Sequence, residues 1–312
     1  DNTEAILSSL LFLFSYSTIF NSVFSFGIEI ATMFLIIGMY FLMNKKNYIL
    51  SGIFFGLASV TRLLSLVPIF IIFLIVLLSS KKNFLKLSSG FLIIFLLVNG
   101  IFALMFGNDY LTPVYKFHLL KTWDSQDNIK EYIDIIKLNW ILFLSVLLII
   151  FVKNKKPIGI FLSISIIYLL FLMSFKKLFG FYFIIIFPFL ALIGGYSIIN
   201  LFRKLNSKKW KIFILMLLFL IFSWNLASDI LFLEKIGFKG FERGKDLIDF
   251  ITSISNQSTL LFGDDSVVPL LALITDKKIA LDFVDTNNQV FITGVRNINY
   301  VLSNLRGKDI LF

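Results

Sequence analysis

The stretch GNDYLTPVYKFHLLKTWDSQDNIKEYIDIIKLN, from Gly107 to Asn139, is the one long polar interruption in the first 200 residues. Phe, Ile and Leu dominate the sequence on both sides of it. The stretch contains the single histidine, His118, with Asp109 and Lys121 close by in sequence. A mixed polar segment between apolar runs is typical of a loop at a membrane surface. We therefore predict that residues 107–138 form a loop at the rim of a functional site.

The composition indicates an integral membrane protein. The 312 residues are 58% hydrophobic and 15% charged, with a mean hydropathy of +0.91, whereas soluble domains are about 45–50% apolar and about 25% charged. The absence of cysteine excludes disulfides, cysteine zinc sites and a thiol nucleophile, and one histidine excludes a His-rich metal site. The net charge of +10 is concentrated in a few loops, so we expect it to set membrane topology and not to bind nucleic acid.

Residues 1–231 are expected to form an α-helical, polytopic membrane domain. A spanning helix needs roughly 20 mostly apolar residues, and the sequence contains about nine such segments. Two of them meet at Arg62, which interrupts one long apolar run. The predicted segments are 5–20, 23–43, 48–61, 63–79, 88–106, 139–152, 158–174, 178–199 and 212–231.

The distribution of Lys and Arg predicts the orientation of these segments. Four loops together hold thirteen Lys/Arg and no Asp/Glu, whereas residues 107–138 hold four Lys and five acids. Cytoplasmic loops carry the excess of basic residues, so we place the four basic loops in the cytoplasm. Residues 107–138, Arg62, Lys176-Lys177 and the C-terminal tail then lie on the extracytoplasmic side. The four basic loops are 44–48, 80–87, 153–157 and 200–211.

The tail, residues 232–312, is expected to form a small soluble α/β domain on the extracytoplasmic side, because short apolar strands alternate with helical patterns there. We expect the sequence to be a fragment of a longer protein, with this domain truncated. The predicted helices are 244–255, 267–275 and 297–305, and the predicted strands are 259–262, 278–281 and 309–312.

Three segments, in this order, resemble a known family. SGIFFGLASVTR, Ser51–Arg62, carries small residues that let helices approach closely and ends in a basic residue. YLTPVYKFHLLK, Tyr110–Lys121, and KKLFGFYFIIIFPFLALIGGYSI, Lys176–Ile198, follow it. Together they resemble the GT-C superfamily of membrane glycosyltransferases, especially the branch of dolichyl-phosphate-mannose–protein mannosyltransferases and aminoarabinose transferases. The resemblance covers nearly the whole chain.

The resemblance implies a hexosyltransferase that uses a sugar esterified to a polyprenyl phosphate. The expected partners are that donor, a protein or glycolipid acceptor, and membrane lipid. The family's essential acidic residue lies in its first extracytoplasmic loop and has no counterpart in this chain, so we expect either that it lies upstream of Asp1 or that the protein is inactive. No cofactor is expected, although the sequence leaves a divalent metal open.

This chemistry suggests roles for particular residues. A carboxylate must take the proton of the acceptor hydroxyl, and Glu29 and Asp109 are the candidate catalytic acids. Arg or Lys can stabilise a phosphate leaving group without a metal. The candidate substrate-binding residues are Arg62, Tyr115, His118, Lys121, Lys176, Lys177 and Tyr182.

Two other functions fit the sequence. A transporter or flippase of lipid-linked intermediates would carry paired charges along a path through the membrane, and apart from Glu29 the spans carry almost none. A non-catalytic membrane scaffold whose tail binds a partner also fits. An acidic pair in a loop before the first residue of this chain would favour the enzyme over the scaffold.

The predicted topology can be tested with single cysteines, because the native chain has none. Cysteines at Ser80, Asn154 and Asn206 should be shielded from an impermeant thiol reagent in intact cells. Cysteines at Ser125 and Ser253 should react. Labelling at Asn154 without labelling at Ser125 would show that the orientation is the opposite of the one predicted.

Overall fold

The protein divides into two compact units. The first comprises residues 1–105 and 124–230, and the second comprises residues 106–123 and 231–312. A computed structural model describes the chain except for residues 1, 23–26, 121–124, 175–177, 265–266, 284–287 and 312. For residues 118, 125–127, 233, 235–243, 282, 288 and 289 it describes the backbone only.

Most of the chain is helical. Helices α1 to α16 are Asn2–Leu13, Tyr16–Ser22, Ile28–Met43, Tyr48–Thr61, Leu66–Ser79, Lys81–Phe106, Asn108–Leu111, Phe117–Leu120, Ser125–Leu138, Trp140–Leu147, Gly159–Met173, Phe187–Lys204, Lys208–Ile254, Val268–Thr275, Asn288–Ile292 and Ile298–Leu305. Tighter 3₁₀ turns occupy Leu63–Ser65, Leu148–Phe151, Lys156–Ile158, Gly180–Ile186 and Ala280–Asp282. One π turn occupies Thr112–Lys116. The strands β1 to β3 are Leu260–Leu261, Lys278–Ile279 and Ile310–Leu311.

Several helices are long and apolar enough to cross a membrane. In the described part of the chain there are four: Lys81–Phe106, Lys156–Met173, Gly180–Lys204 and Lys208–Phe232. The number rises to six if two bent helix pairs each form one span. Three further apolar helices, Ile28–Met43, Tyr48–Thr61 and Leu63–Ser79, are shorter. The prediction of a helical protein with multiple apolar spans is confirmed at this level, and the number nine stays a prediction.

Helix α12 lies at the centre of the first unit. Of the 18 most apolar consecutive residues in the span Gly180–Lys204, 89% are buried inside the protein, compared with 6% in α6. Helices α1, α10 and α11 pack directly on α12. At the end of α12, Tyr196 donates a hydrogen bond to the Asn154 carbonyl (2.7 Å) and Lys204 donates one to the Phe151 carbonyl (2.9 Å). The central helix therefore fixes the positions of its neighbours.

Asn139 joins two bent helix pairs in the first unit. It lies in an 85° bend between α9 and α10, and a second bend of 60° separates α1 from α2. The Asn139 amide oxygen accepts a hydrogen bond from the Ser17 backbone N–H (3.0 Å). The Asn139 amide nitrogen donates to the Ser17 hydroxyl (2.8 Å) and to the Ile135 carbonyl (2.9 Å). Because buried polar groups at a helix break must be hydrogen-bonded, these contacts stabilise both bends.

Two segments predicted as loops are helical. Residues 80–87 were expected to form a basic loop, but α6 begins at Lys81. Ser80 is extended, and its hydroxyl accepts a hydrogen bond from the Asn83 N–H (3.4 Å). Residues 107–138 also contain helices, α7 to α9, in their described part. Low hydropathy marks where a chain leaves an apolar layer, but Lys, Glu and Gln are good helix formers, so polarity does not end a helix.

The second unit contains a small parallel sheet. Its strand order is β2-β1-β3, and Leu260 pairs with Lys278 on one side and with Ile310 on the other. Helices α14 and α16 lie within the sequence ranges predicted to be helical. The predicted helix 244–255 is the end of the long α13, which continues to Ile254. The prediction of short strands alternating with helices in the tail is therefore confirmed.

Helices α4 and α6 approach closely at glycines. A Cβ atom built on Gly52 would lie 2.1 Å from the Leu87 carbonyl oxygen, and one built on Gly90 would lie 2.2 Å from the Ile49 carbonyl oxygen. Backbone atoms cannot move aside as the end of a flexible side chain can. The prediction that the small residues of Ser51–Arg62 permit close helix packing is confirmed at Gly52.

Replacing Gly52 with leucine should force α4 and α6 apart. Overpacking typically costs about 1–3 kcal/mol, so we expect Gly52→Leu to lower the thermal unfolding temperature in detergent by several degrees. Gly100→Leu is the matched control, because Gly100 lies on α6 and nothing lies within 4 Å of a Cβ built there. Equal unfolding temperatures for the two variants would contradict the close approach.

Candidate functional site

In the first unit, Glu29 and Arg62 lie at the same end of the α3–α4 hairpin. Its turn, with Lys45 and Lys46, is at the opposite end. The two helices are antiparallel: the Ser51 hydroxyl donates to the Gly38 carbonyl (2.8 Å), and a Cβ on Gly27 would lie 3.8 Å from the Thr61 methyl group. Glu29, in the first turn of α3, is therefore level with the end of α4, which Arg62 follows.

A helix break determines the position of Arg62. Helix α4 ends at Thr61, and Arg62 is extended (φ −149°, ψ 118°), with its N–H donating to the Ala58 carbonyl. The 3₁₀ turn Leu63–Ser65 then leads into α5. The interpretation that two helices meet at Arg62 is confirmed. On the other helix, Gly27 precedes α3 in the left-handed conformation (φ 72°), which glycine adopts at little cost.

Several buried polar atoms near this end lack hydrogen-bond partners among the described residues. They are Glu29 Oε1, Thr32 Oγ1, Arg62 Nε and Ser65 Oγ. Thr32 lies three residues after Glu29 on α3, and Ser65 lies three residues after Arg62. A buried polar atom without a partner costs about 1–3 kcal/mol. A carboxylate and a guanidinium in this condition are candidates to bind a polar ligand.

The segment Gly180–Ile186 contributes Tyr182 to the same region. Helix α3 packs on this segment, and the Arg62 guanidinium lies near the Tyr182 phenol. Tyr168, which is fully buried, donates a hydrogen bond to the Tyr182 carbonyl (2.9 Å). The Tyr182 side chain is itself only 6% exposed, so it forms a wall of the region and not an open aromatic surface.

Helix α9 adds residues that the sequence analysis did not select. The Asn128 amide oxygen accepts a hydrogen bond from the Leu178 N–H (2.7 Å). The Glu131 carboxylate lies over Gly180, since a Cβ built there would be 2.7 Å from Glu131 Oε1. Tyr132 donates to the Leu169 carbonyl and its ring packs against Phe183. Their spacing of three and four residues, which places them on one helical face, was the available signal.

A second buried polar group was also missed. Asn225 on α13 donates hydrogen bonds to the Phe14 carbonyl (3.1 Å) and to Asp229 Oδ2 (2.9 Å). Asp229 is 6% exposed. The Phe14 carbonyl lies at the bend between α1 and α2, so Asn225 satisfies a backbone acceptor freed by that bend. The i, i+4 spacing of Asn and Asp within an apolar run was the signal for it.

The other predicted site residues lie in the second unit or outside the described residues. Asp109 is exposed on α7. Tyr115, in the π turn, packs against Tyr110, and burial, with a smaller contribution from Tyr110, raises the pKa of Tyr115 above its usual value. His118 is on α8, and its side chain is outside the description. Lys121, Lys176 and Lys177 lie outside the described residues, so their roles stay predictions.

The described residues contain no group of three or more His, Asp or Glu side chains placed to hold a metal ion. Of the predicted site residues, Glu29, Arg62 and Tyr182 lie in the first unit, with Glu29 and Arg62 at the same end of the α3–α4 hairpin. Asp109 and Tyr115 lie in the second unit.

The comparisons with known proteins give no relative. No protein-family model matches the sequence, and neither the curated proteins nor the solved structures contain a match. The arguments about function therefore depend on the geometry of the chain itself.

Removing the Tyr168 hydroxyl should test how the Tyr182 segment is held. In Tyr168→Phe the Tyr182 carbonyl loses its buried donor, and we expect a loss of about 1–3 kcal/mol of stability. Thermal unfolding in detergent measures this loss. Tyr40→Phe is the control, because Tyr40 is 46% exposed and the described residues offer its hydroxyl no hydrogen bond. If both variants unfold at the wild-type temperature, the Tyr168 contact does not support the segment.

Proposed function

We propose that this chain is a membrane glycosyltransferase of the GT-C type, which transfers a hexose from a polyprenyl-phosphate donor to a protein or glycolipid acceptor. One observation carries the proposal: Glu29 and Arg62 lie level with each other at one end of the α3–α4 hairpin, each with a buried polar atom that lacks a partner among the described residues. This arrangement supports a site for an anionic leaving group beside a general base.

The proposed reaction uses these two residues in complementary roles. The acceptor hydroxyl attacks the anomeric carbon of the sugar while the bond from that carbon to the phosphate oxygen breaks. Glu29 takes the proton from the hydroxyl. Arg62 stabilises the negative charge that develops on the departing polyprenyl phosphate. Tyr182, which lies near Arg62, lines the site beside the guanidinium.

The proposed membrane arrangement follows the distribution of charge. Lys45 and Lys46 mark the cytoplasmic end of the α3–α4 hairpin, so Glu29 and Arg62 lie at its extracytoplasmic end. With about nine membrane segments, residues 107–138 and the C-terminal domain lie on that side too. Polyprenyl-phosphate sugars are amphipathic, so their phosphates lie at the bilayer surface, where Arg62 is placed.

The first test is sugar transfer by the purified full chain. With a panel of polyprenyl-phosphate hexoses as donors, Glu29→Gln should lower kcat by about 10²–10⁴-fold, as expected for a lost general base. Arg62→Gln should lower kcat/KM by roughly ten- to a hundredfold, as expected for one lost charge-assisted contact.

Glu4→Gln is the matched control for both variants. Glu4, in the same unit, pairs with Arg203 at 3.0 Å, and it belongs to no proposed catalytic group. Folded protein should be equal in all three variants by size-exclusion chromatography. Transfer by Glu29→Gln at the level of Glu4→Gln would exclude Glu29 as the base.

A second candidate function is transport of a lipid-linked intermediate. Asp229 and Asn225 beside the bend of α1 and α2 favour it, because transporters place ionisable residues near interrupted helices. The same reconstituted system distinguishes the two functions. A transporter moves the intact lipid-linked sugar to the other leaflet, whereas a transferase forms a new glycosidic bond to the acceptor.

A further inference from the structure

The part of helix α13 that belongs to the first unit leaves two apolar grooves where it packs on the rest of that unit. Within that unit it contacts the core through Leu218 and Phe222. Of the 18 most apolar consecutive residues of Lys208–Phe232, only 11% are buried. On one side, a groove of about 410 Å³ runs between α10, α12 and α13. On the other side, a groove of about 490 Å³ runs between α1, α12 and α13.

The two grooves flank one ridge. Ile198, Phe202 and Leu218 line both of them, so these three side chains separate the grooves. The first groove extends along α13 from Ile214 to Phe222, which is about 12 Å at 1.5 Å per residue. Two extended hydrocarbon chains, one in each groove, would therefore lie side by side and straddle the ridge.

A cluster of cations lies at one end of both grooves. Lys204 lines the first groove, and Arg203, which pairs with Glu4, lines the second. The Lys211 ammonium lies over the Phe202 ring, 5.8 Å from its centroid, and thus directly above the ridge. Lys208 and Lys209 begin the same helix. Residues 200–211 contain no acid, and in the described part of the chain no carboxylate pairs with Lys208, Lys209 or Lys211.

We propose that this surface is a binding site for a diacyl anionic phospholipid, with one acyl chain in each groove and the phosphate at Lys208, Lys209 and Lys211. Two apolar grooves that end at one basic cluster match the chemistry of such a lipid, and basic pockets between membrane helices bind anionic head groups. Trp210, which is 60% exposed and packs on Phe213, lies where aromatic side chains meet the membrane interface. The site is independent of the proposed transferase chemistry.

The charge part of the site is tested with delipidated full chain in detergent and short titrations of phosphatidylglycerol or phosphatidylcholine. Phosphatidylglycerol should raise Tm by roughly 5 °C at saturation, and phosphatidylcholine should raise it much less. Each lysine near an anionic head group contributes about fivefold in affinity. The triple variant Lys208→Gln, Lys209→Gln, Lys211→Gln should therefore bind phosphatidylglycerol about a hundredfold more weakly.

The matched charge control is the triple variant Lys81→Gln, Lys82→Gln, Lys86→Gln. It removes the same number of charges from the start of α6, which lines neither groove. This variant should keep the wild-type preference for phosphatidylglycerol. An equal loss of affinity in both triple variants would show diffuse attraction to positive charge and would overturn the site.

The groove part is tested without changing charge. Leu144 lines the first groove, so Leu144→Trp should fill it and lower phosphatidylglycerol affinity about tenfold while leaving the lysines in place. Leu147→Trp is the control, because Leu147 is 58% exposed on the same helix and lines neither groove. Equal binding by Leu144→Trp and wild type, or equal stabilisation by the two lipids, would overturn the proposal.

Discussion

The reciprocal hydrogen bonds between Asn139 and Ser17 are the contact on which the first unit depends. A helix that bends inside an apolar interior frees backbone donors and acceptors that no water can reach, and each needs a partner. Asn139 supplies both a donor and an acceptor at the junction of two bends. Asn225 supplies a donor to the Phe14 carbonyl nearby. Two asparagines thus satisfy the backbone where two helices change direction.

The bends determine which residues face the candidate site. Because the chain turns at Asn139, α9 leaves the direction of α10 and packs on the Gly180–Ile186 segment. Asn128 and Glu131 reach that segment from α9. In the α3–α4 hairpin, the helix break at Arg62 places a cation level with Glu29. Glu29 and Arg62 therefore come from a helix start and a helix break, whereas Asn128 and Glu131 come from within α9.

The sequence alone predicted the features that depend on local pattern. Apolar runs identified the apolar helices of the first unit, although not the bend between α1 and α2 within the predicted segment 5–20. Short apolar stretches identified β1, β2 and β3. The break at Arg62 was also visible, because a charge interrupts a run too long for one span. The helical start of α6 and the helices within 107–138 were not predicted, because polarity was interpreted as loop. The contacts of Asn128, Glu131 and Asn225 depend on bends whose angles leave no local signature.

The winding of Gly180–Ile186 has a mechanical consequence for Tyr182. Seven residues in a 3₁₀ helix span about 14 Å at 2.0 Å per residue, whereas the same residues in an α-helix span about 10.5 Å at 1.5 Å per residue. Since the segment runs directly into α12, a switch of winding would shorten it by about 3.5 Å. It would also turn Tyr182 relative to the fixed central helix. Because α3 packs on this segment and the Tyr168 hydroxyl donates to the Tyr182 carbonyl, such a switch would also change the contacts that hold the aromatic wall.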